Sequence, residues 1–204
     1  MKFIKKNTFY KLPVYEFNLP AGHSCPGALG CKVLVDRETG LFTTTGTEFR
    51  CYAAASERFP SVRESRWKNY ESVMSGENIA VPTKATHVRI HGAGDFFSQK
   101  YFDAWLDVCL ENEHVIFWAF TKSIRFWVNR ITEIPKNLTL QASYGSKQDY
   151  LINKHGLKFA RVYTDKKAAL SSGLPIDTDD SFAMSGVRSF ALLDNFKYKK
   201  TGKT

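Results

Sequence analysis

Apolar and polar positions change rhythm repeatedly along the chain from about residue 82 onward. Short apolar runs bounded by turn residues occupy 86–91, 114–120, 138–142, 158–163 and 189–193, and their length and composition mark them as strands. Between them, 98–111, 123–131, 146–155 and 165–171 carry helical spacing. An opening strand is expected over 14–18 and a helix over 61–73. Strands separated by helices of this length need crossover connections, which build a mainly parallel sheet. The fold class read from this alternation is α/β, with about six strands. Six strand–helix units are too few for a closed eight-unit barrel and suit either an open doubly wound sheet or a partial barrel. In both, chemistry sits at the carboxyl ends of the strands. The segment 31–50, with Asp36-Arg-Glu-Thr-Gly40 at its middle, reads as a hairpin inserted before the first helix.

Composition narrows the picture. Of 204 residues, 43% are hydrophobic and 14% aromatic, with 16 Phe and 4 Trp, which is ample for one core and excludes disordered and fibrous classes. The longest clean apolar run, 115–120, is far short of the roughly 18 residues of a membrane span. The start, Met1-Lys-Phe-Ile-Lys-Lys, lacks the sustained apolar region of a signal peptide. One soluble cytoplasmic domain over 1–204 is expected, without membrane contact.

Charge looks decisive until it is located. Lys and Arg number 29 against 20 Asp and Glu, a net +9 with a pI near 9.4. Lys2, Lys5, Lys6 and Lys11 lie at one end and Lys197, Lys199, Lys200 and Lys203 at the other, and neither end carries an acid. Without those eight, 21 bases face 20 acids. A basic surface attracts phosphate through its summed field, but here the excess belongs to two ends, about 1–11 and 197–204, that are expected to be flexible. Nucleic acid is therefore a partner for the ends rather than for the body.

The informative chemistry lies in His23-Ser-Cys25-Pro-Gly-Ala-Leu-Gly-Cys31 and, across the hairpin, Cys51-Tyr-Ala. Three cysteines gather in a Gly- and Pro-rich loop after the first strand, and thiolates are preferred ligands of zinc and iron–sulfur clusters. Cys25, Cys31 and Cys51 are the candidate metal ligands; His23 could complete a Cys3His zinc site, whereas three thiolates on a cubane cluster leave one iron open. Cys109 is set apart because Phe97, Tyr101, Trp105, Val108 and Cys109 trace one apolar helical stripe, which makes it a small core residue.

A second constellation is His87-Val-Arg-Ile-His91-Gly-Ala-Gly-Asp95-Phe-Phe-Ser98. Glycines at a strand end allow close approach of a ligand, Asp95 can accept hydrogen bonds there, and Ser98 is a helix N-cap candidate. His87, Arg89 and His91 are placed on one strand face by their period of two. Other strand ends carry Thr121-Lys122-Ser123, Ser143-Tyr144 and Tyr163-Thr-Asp165, polar groups that can converge into a pocket. Arg63, Arg66 and Asn69 share one helical face, read as solvated.

The stretch from Phe17-Asn-Leu-Pro-Ala-Gly-His-Ser-Cys25-Pro through Cys31 and Cys51-Tyr-Ala-Ala, with Arg89-Ile-His-Gly-Ala-Gly-Asp95-Phe and Phe120-Thr-Lys122-Ser, resembles the phage-encoded family known as gene product eighty-eight over residues 14–193. That resemblance implies a protein working in the cytoplasm of an infected host cell. Family members also carry cysteines near the carboxyl terminus; none follows Cys109 here, so one centre is expected. More distantly, the layout resembles radical SAM enzymes. By that resemblance the fold is a partial (βα)6 barrel, and Cys25, Cys31 and Cys51 hold a [4Fe-4S] cluster whose open iron takes S-adenosylmethionine. Gly92, Gly94, Asp95 and Tyr52 would contact that cofactor, and Asp95, Lys122 and Ser143 would be catalytic. The gaps of five and nineteen residues between the cysteines depart from the compact loop of that superfamily. The competing expectation is a non-catalytic module braced by zinc or a cluster, with the basic ends on nucleic acid or a host protein. A hydrolase without redox metal is disfavoured because no nucleophile–base pairing is visible.

Overall fold

The switch in rhythm is a switch between strand and helix. The computed structural model describes residues 1–6, 10, 12–31, 33–44 and 51–194. In chain order the elements are β1 (Phe3–Lys6), β2 (Val14–Phe17), β3 (Val33–Val35), β4 (Phe42–Thr44), a 3-10 turn (Ala54–Arg58), α1 (Pro60–Met74), β5 (His87–Ile90), α2 (Gln99–Glu111), β6 (Ile116–Thr121), α3 (Ile124–Val128), β7 (Leu138–Ser143), α4 (Tyr150–His155), β8 (Phe159–Tyr163), α5 (Lys166–Ser171), α6 (Ser181–Ser185) and β9 (Phe190–Leu193).

The main sheet has seven strands in the order β1-β2-β5-β6-β7-β8-β9. Six of them, β2 and β5 through β9, pair in parallel. The seventh corrects an expectation: Phe3–Lys6 was to be part of a flexible basic end, but it pairs antiparallel with β2, Phe3 opposite Phe17. Lys2 adds a two-way bond with Asn69 of α1, at 2.7 and 2.9 Å. The other basic end, 197–204, lies outside the described residues. The parallel strands follow sequence order, so no point of strand reversal exists and the doubly wound alternative falls away. The hairpin is present as β3 and β4 around the Asp36–Gly40 turn; its return toward Cys51 lies outside the described residues.

One face of the sheet carries Val88, Ile90, Phe117, Ala119, Leu138, Leu140 and Ala142 against α2, α3 and α4. α2 starts where Ser98 Oγ accepts the Tyr101 N–H at 3.2 Å, a cap that contributes about 1 kcal/mol. Its stripe Tyr101, Trp105, Val108 and Cys109 is buried as the spacing foretells. The opposite face carries Val14, Trp118, Ala160 and Phe190, covered by Tyr10 and by Phe182, Ala183 and Met184 of α6, a helix too short to leave a periodic signal. Two helices are shorter than expected. α3 stops at Val128, and α4 begins only at Tyr150 because Asp149 turns back to accept the N–H groups of Gly145 and Ser146, at 3.0 and 2.9 Å.

Candidate metal centre

The cysteine loop sits across the carboxyl ends of β6 and β7. Leu29 and Gly30 donate their N–H groups to the Gly145 carbonyl at 2.9 and 3.0 Å, and Lys147 donates to the Gly27 carbonyl at 2.9 Å. Gly27 must be glycine, because a Cβ there would run into the Lys122 carbonyl. That carbonyl also accepts Ser146 Oγ at 2.6 Å. The seat of Cys25 and Cys31 is therefore backbone built, and the Gly22 N–H donates to Cys25 Sγ at 3.3 Å. Cys51 belongs to the other segment, ahead of the 3-10 turn.

All three thiols are half-buried. Burial pushes the Cys25 thiol up, Asp95 adds to the rise, the Gly22 N–H opposes it, and Cys51 and Cys31 add further. Cys31 is pushed up to about 11 by burial, with the Lys122 ammonium opposing and Cys51 and Asp95 adding. The loop of Cys25 and Cys31 lies just beyond β7, and Tyr52, next to Cys51, donates to the Gly92 carbonyl just beyond β5, so the three share the strand-end rim with Asp95 and Lys122. They do not close on a single point: among the described residues no group of three or more His, Cys, Asp or Glu side chains is arranged to hold a metal ion. Cys109 is remote and buried in the core, and burial pushes its thiol up.

Asp95, Lys122 and Ser143 come together at the same rim. Asp95 Oδ1 accepts the Phe96 N–H and Thr121 Oγ1, both at 2.7 Å, and Oδ2 accepts the Lys122 N–H at 2.8 Å. This clamps the end of β5 to the end of β6. Burial wins over those three bonds and pushes the carboxyl up to about 6. Lys122 Nζ reaches Ser143 Oγ at 2.5 Å and the Tyr144 carbonyl at 2.8 Å, so it spans the ends of β6 and β7. The glycines have a packing role: a Cβ on Gly94, at φ +83°, would meet Ser24 Oγ at 2.5 Å, and one on Gly92 would meet Glu16 Oε2 at 2.7 Å. Close approach here is between parts of the chain itself, the β5 turn and the strand that leads to the cysteine loop.

Two expectations about faces fail. Arg63, Arg66 and Asn69 are buried, not solvated. Arg66 Nη1 donates to Glu57 Oε1 at 2.7 Å and to the Ala53 carbonyl at 2.8 Å, while Glu57 Oε1 also accepts the Ala21 N–H at 2.7 Å. This pair thus ties the residue that leads into the Cys25 loop to the segment just after Cys51. Arg63 binds the carbonyls of Arg37 and Glu38 in the hairpin turn, at 2.6 and 2.9 Å, and Asn69 binds the Asn18 carbonyl at 3.1 Å. Helix periodicity marks such a stripe as polar but cannot see that backbone carbonyls from distant segments will solvate it. The second failure is His91, which does not share a face with Arg89. Its φ of 62° breaks the strand alternation, and the ring packs edge-on to Phe96 with Tyr101 Oη at 2.8 Å from Nε2. Burial pushes His91 down to about 3. His23 is likewise committed: Nε2 lies 2.9 Å from the Val35 carbonyl and the ring 5.0 Å from Trp67.

Arg89 points to the α6 side and organises a charge cluster that sequence reasoning left unpartnered. Nη1 donates to Asp180 Oδ2 at 3.1 Å and to Tyr10 Oη at 2.9 Å; Nη2 donates to Tyr52 Oη at 3.1 Å. Tyr10 Oη donates to Glu16 Oε1 at 3.1 Å, and Trp118 Nε1 to Asp180 at 3.3 Å. Asp180, at φ 60°, holds a conformation uncommon outside glycine. Elsewhere, a groove of about 780 Å³ runs between α1 and α2, lined by Tyr70, Ile79, Phe97 and Tyr101 among others.

A family profile described as Gene product 88 matches residues 2–202. The chain belongs to that family. The match to the Gene product 88 family spans both cysteine segments and every strand of the sheet. It agrees with the phage family expected from the sequence. No curated protein and no solved structure matches the chain. No helix among the described residues is long and apolar enough to cross a membrane.

Proposed function

We propose that the chain is an iron–sulfur protein holding one [4Fe-4S] cluster through Cys25, Cys31 and Cys51, at the rim of a partial (βα)6 barrel of the radical-SAM type. The observation that carries this reading is that the loop bearing Cys25 and Cys31 is bonded just beyond β7 and packed on the Lys122 carbonyl beyond β6, while Tyr52, next to Cys51, bonds to the Gly92 carbonyl beyond β5.

The sheet supports the architecture. Parallel strands in sequence order step in one direction, as in a barrel. In a flat sheet β6 and β9 would stand three spacings, about 14 Å, apart. The rings of Phe120 and Phe190, which they carry, are 6.0 Å apart, so the sheet curls toward α6.

As ligand chemistry, three thiolates suit a cluster better than a single zinc ion. A tetrahedral zinc at about 2.3 Å from each sulfur draws its thiolates to about 4 Å from one another and needs a fourth ligand. His23 is engaged with Val35 instead. A cubane carries each thiolate on a separate iron, so its ligands converge without meeting. Bound there, a cluster supplies one-electron chemistry, with S-adenosylmethionine at the open iron if the chain is an enzyme. The chain's own residues hold the surroundings. The Gly22 N–H is directed at one sulfur. Lys122, anchored by Ser143 and Tyr144, sets a positive charge near Cys31. Asp95 fixes the backbone from which Lys122 projects. By the same reading the Gly92–Asp95 turn and Tyr52, joined where the Tyr52 hydroxyl donates to the Gly92 carbonyl, would contact the cofactor.

Anaerobic purification with iron and sulfide quantification tests this. A brown protein with about four irons and four sulfides per chain is expected. Cys25→Ala, Cys31→Ala and Cys51→Ala should each lose the colour, while Cys109→Ala keeps it. A colourless wild-type chain, or one with stoichiometric zinc, refutes the reading. A paramagnetic resonance spectrum of the reduced cluster that ignores added S-adenosylmethionine removes that cofactor.

A further inference from the structure

The geometry points to Arg89 as a positioning residue for the third thiol, acting through Tyr52; this rests on the cluster reading above. The loop of Cys25 and Cys31 is seated by backbone bonds to Gly145 and Lys147 beyond β7, whereas among the described residues Cys51 has no backbone bond to a strand end. Cys51 packs against the cluster of Ala21, Val33, Val35, Ala53, Ala54 and Ala93, and the next residue, Tyr52, adds a polar anchor. Tyr52 Oη donates to the Gly92 carbonyl at 3.0 Å and accepts Arg89 Nη2 at 3.1 Å. The Tyr52 residue is 50% exposed, so its hydroxyl, not burial of its ring, holds it in place.

Arg89 can define a position because it is itself immobilised. Asp180 and Tyr10 hold Nη1, and the guanidinium lies over the Phe120 ring at 5.2 Å. A planar fork fixed at one nitrogen and across its face leaves the other nitrogen one direction in which to donate. That direction ends on the hydroxyl of the residue next to Cys51. A carboxylate 129 positions further along the chain than Cys51 thereby sets where that thiol stands.

The test is Tyr52→Phe, which keeps the ring and removes only the hydroxyl. Partners one shell removed from a metal typically change affinity 10–100-fold. In the cluster-loaded protein, chelator-driven iron loss should quicken about tenfold or more, with the thermal midpoint of the metal-free chain little changed. Arg89→Lys should act in the same direction, and the double variant should lose iron no faster than the faster single variant, because both act along one line. In the metal-free chain, Tyr52→Phe should raise the alkylation rate of Cys51 while Cys25 and Cys31 keep theirs. If wild type carries no cluster, the cluster reading fails and the alkylation arm still decides this one. Unchanged iron loss in a loaded protein, or equal alkylation of Cys51 with and without the hydroxyl, overturns the inference.

Discussion

Replacing Arg66 by alanine tests how the two cysteine segments are held together. Glu57 is fully buried, and its Oε1 accepts Arg66 Nη1 and the Ala21 N–H, both at 2.7 Å. Its Oε2 has no protein partner, so the carboxylate depends on Arg66 for its counter-charge. Removing one member of a buried pair typically costs about 3–5 kcal/mol, because the other charge is left in a poor solvent. Arg66→Ala also strands the Ala53 carbonyl and Ser56 Oγ, neutral bonds worth about 1 kcal/mol each and not fully additive. A loss of about 4 kcal/mol follows, a large share of the roughly 5–15 kcal/mol that holds a domain folded. Urea denaturation reads it: with a slope of about 2 kcal/mol/M, the midpoint should fall by about 2 M. The double variant Glu57→Gln with Arg66→Met should be more stable than Arg66→Ala, since no buried charge remains. A loss below about 1 kcal/mol, the value of a solvated pair, would refute the reasoning and return Arg66 to a solvated face.

Three further outcomes are expected. His91 stays neutral in the folded chain down to about pH 3, whereas the unfolded chain takes up that proton near its ordinary value of about 6.5, so stability should fall by up to about 5 kcal/mol as pH drops across that window. Asp95 works in the opposite sense: with its folded value raised to about 6, it contributes stability below about pH 4 that is lost as pH rises through 6, up to about 3 kcal/mol. Urea midpoints of wild type, His91→Asn and Asp95→Asn from pH 4 to 7 separate the two, and a pH dependence shared by all three would refute both assignments. Gly27→Ala should unseat the cysteine loop from the Lys122 carbonyl, lowering iron content while far-ultraviolet circular dichroism keeps its strand and helix signal. Normal iron loading in that variant would show that the close approach is dispensable.

What the sequence disclosed follows from which forces are local. β5 through β9 and α2 were readable because side-chain alternation and capping act over a few residues, and Cys109 was placed in the core by the same stripe that buries Trp105. The strand-end convergence of Asp95, Lys122 and Ser143 was legible because a parallel sheet delivers every carboxyl end to one rim. β1 was hidden because Lys5 and Lys6 look like a solvated tail, yet an edge strand tolerates lysines on its free side. Arg63, Arg66 and Asn69 misled because their partners, carbonyls of Arg37, Ala53 and Asn18, lie outside their helix. His91 misled because period-two reasoning presumes an extended backbone, and its φ is 62°. The charge cluster joins Tyr10, Arg89 and Asp180, residues whose separations of up to 170 positions leave no pattern to read.

The strand order also carries a timetable. Each parallel strand from β5 to β9 lies beside the one synthesised before it, so the sheet can grow outward as the chain emerges. Asp180 breaks that sequence, since it arrives near the end and bonds back to Arg89 and Trp118, which are already in place. A nascent chain therefore has its cysteine loop seated on β6 and β7 well before its guanidinium is fixed. A chain truncated before α6 would still present Cys25, Cys31 and Cys51, but without the carboxylate that aligns Arg89 on Tyr52. The alignment of Arg89 on Tyr52 is thus a property of the chain carried through α6, not of its amino-terminal part alone.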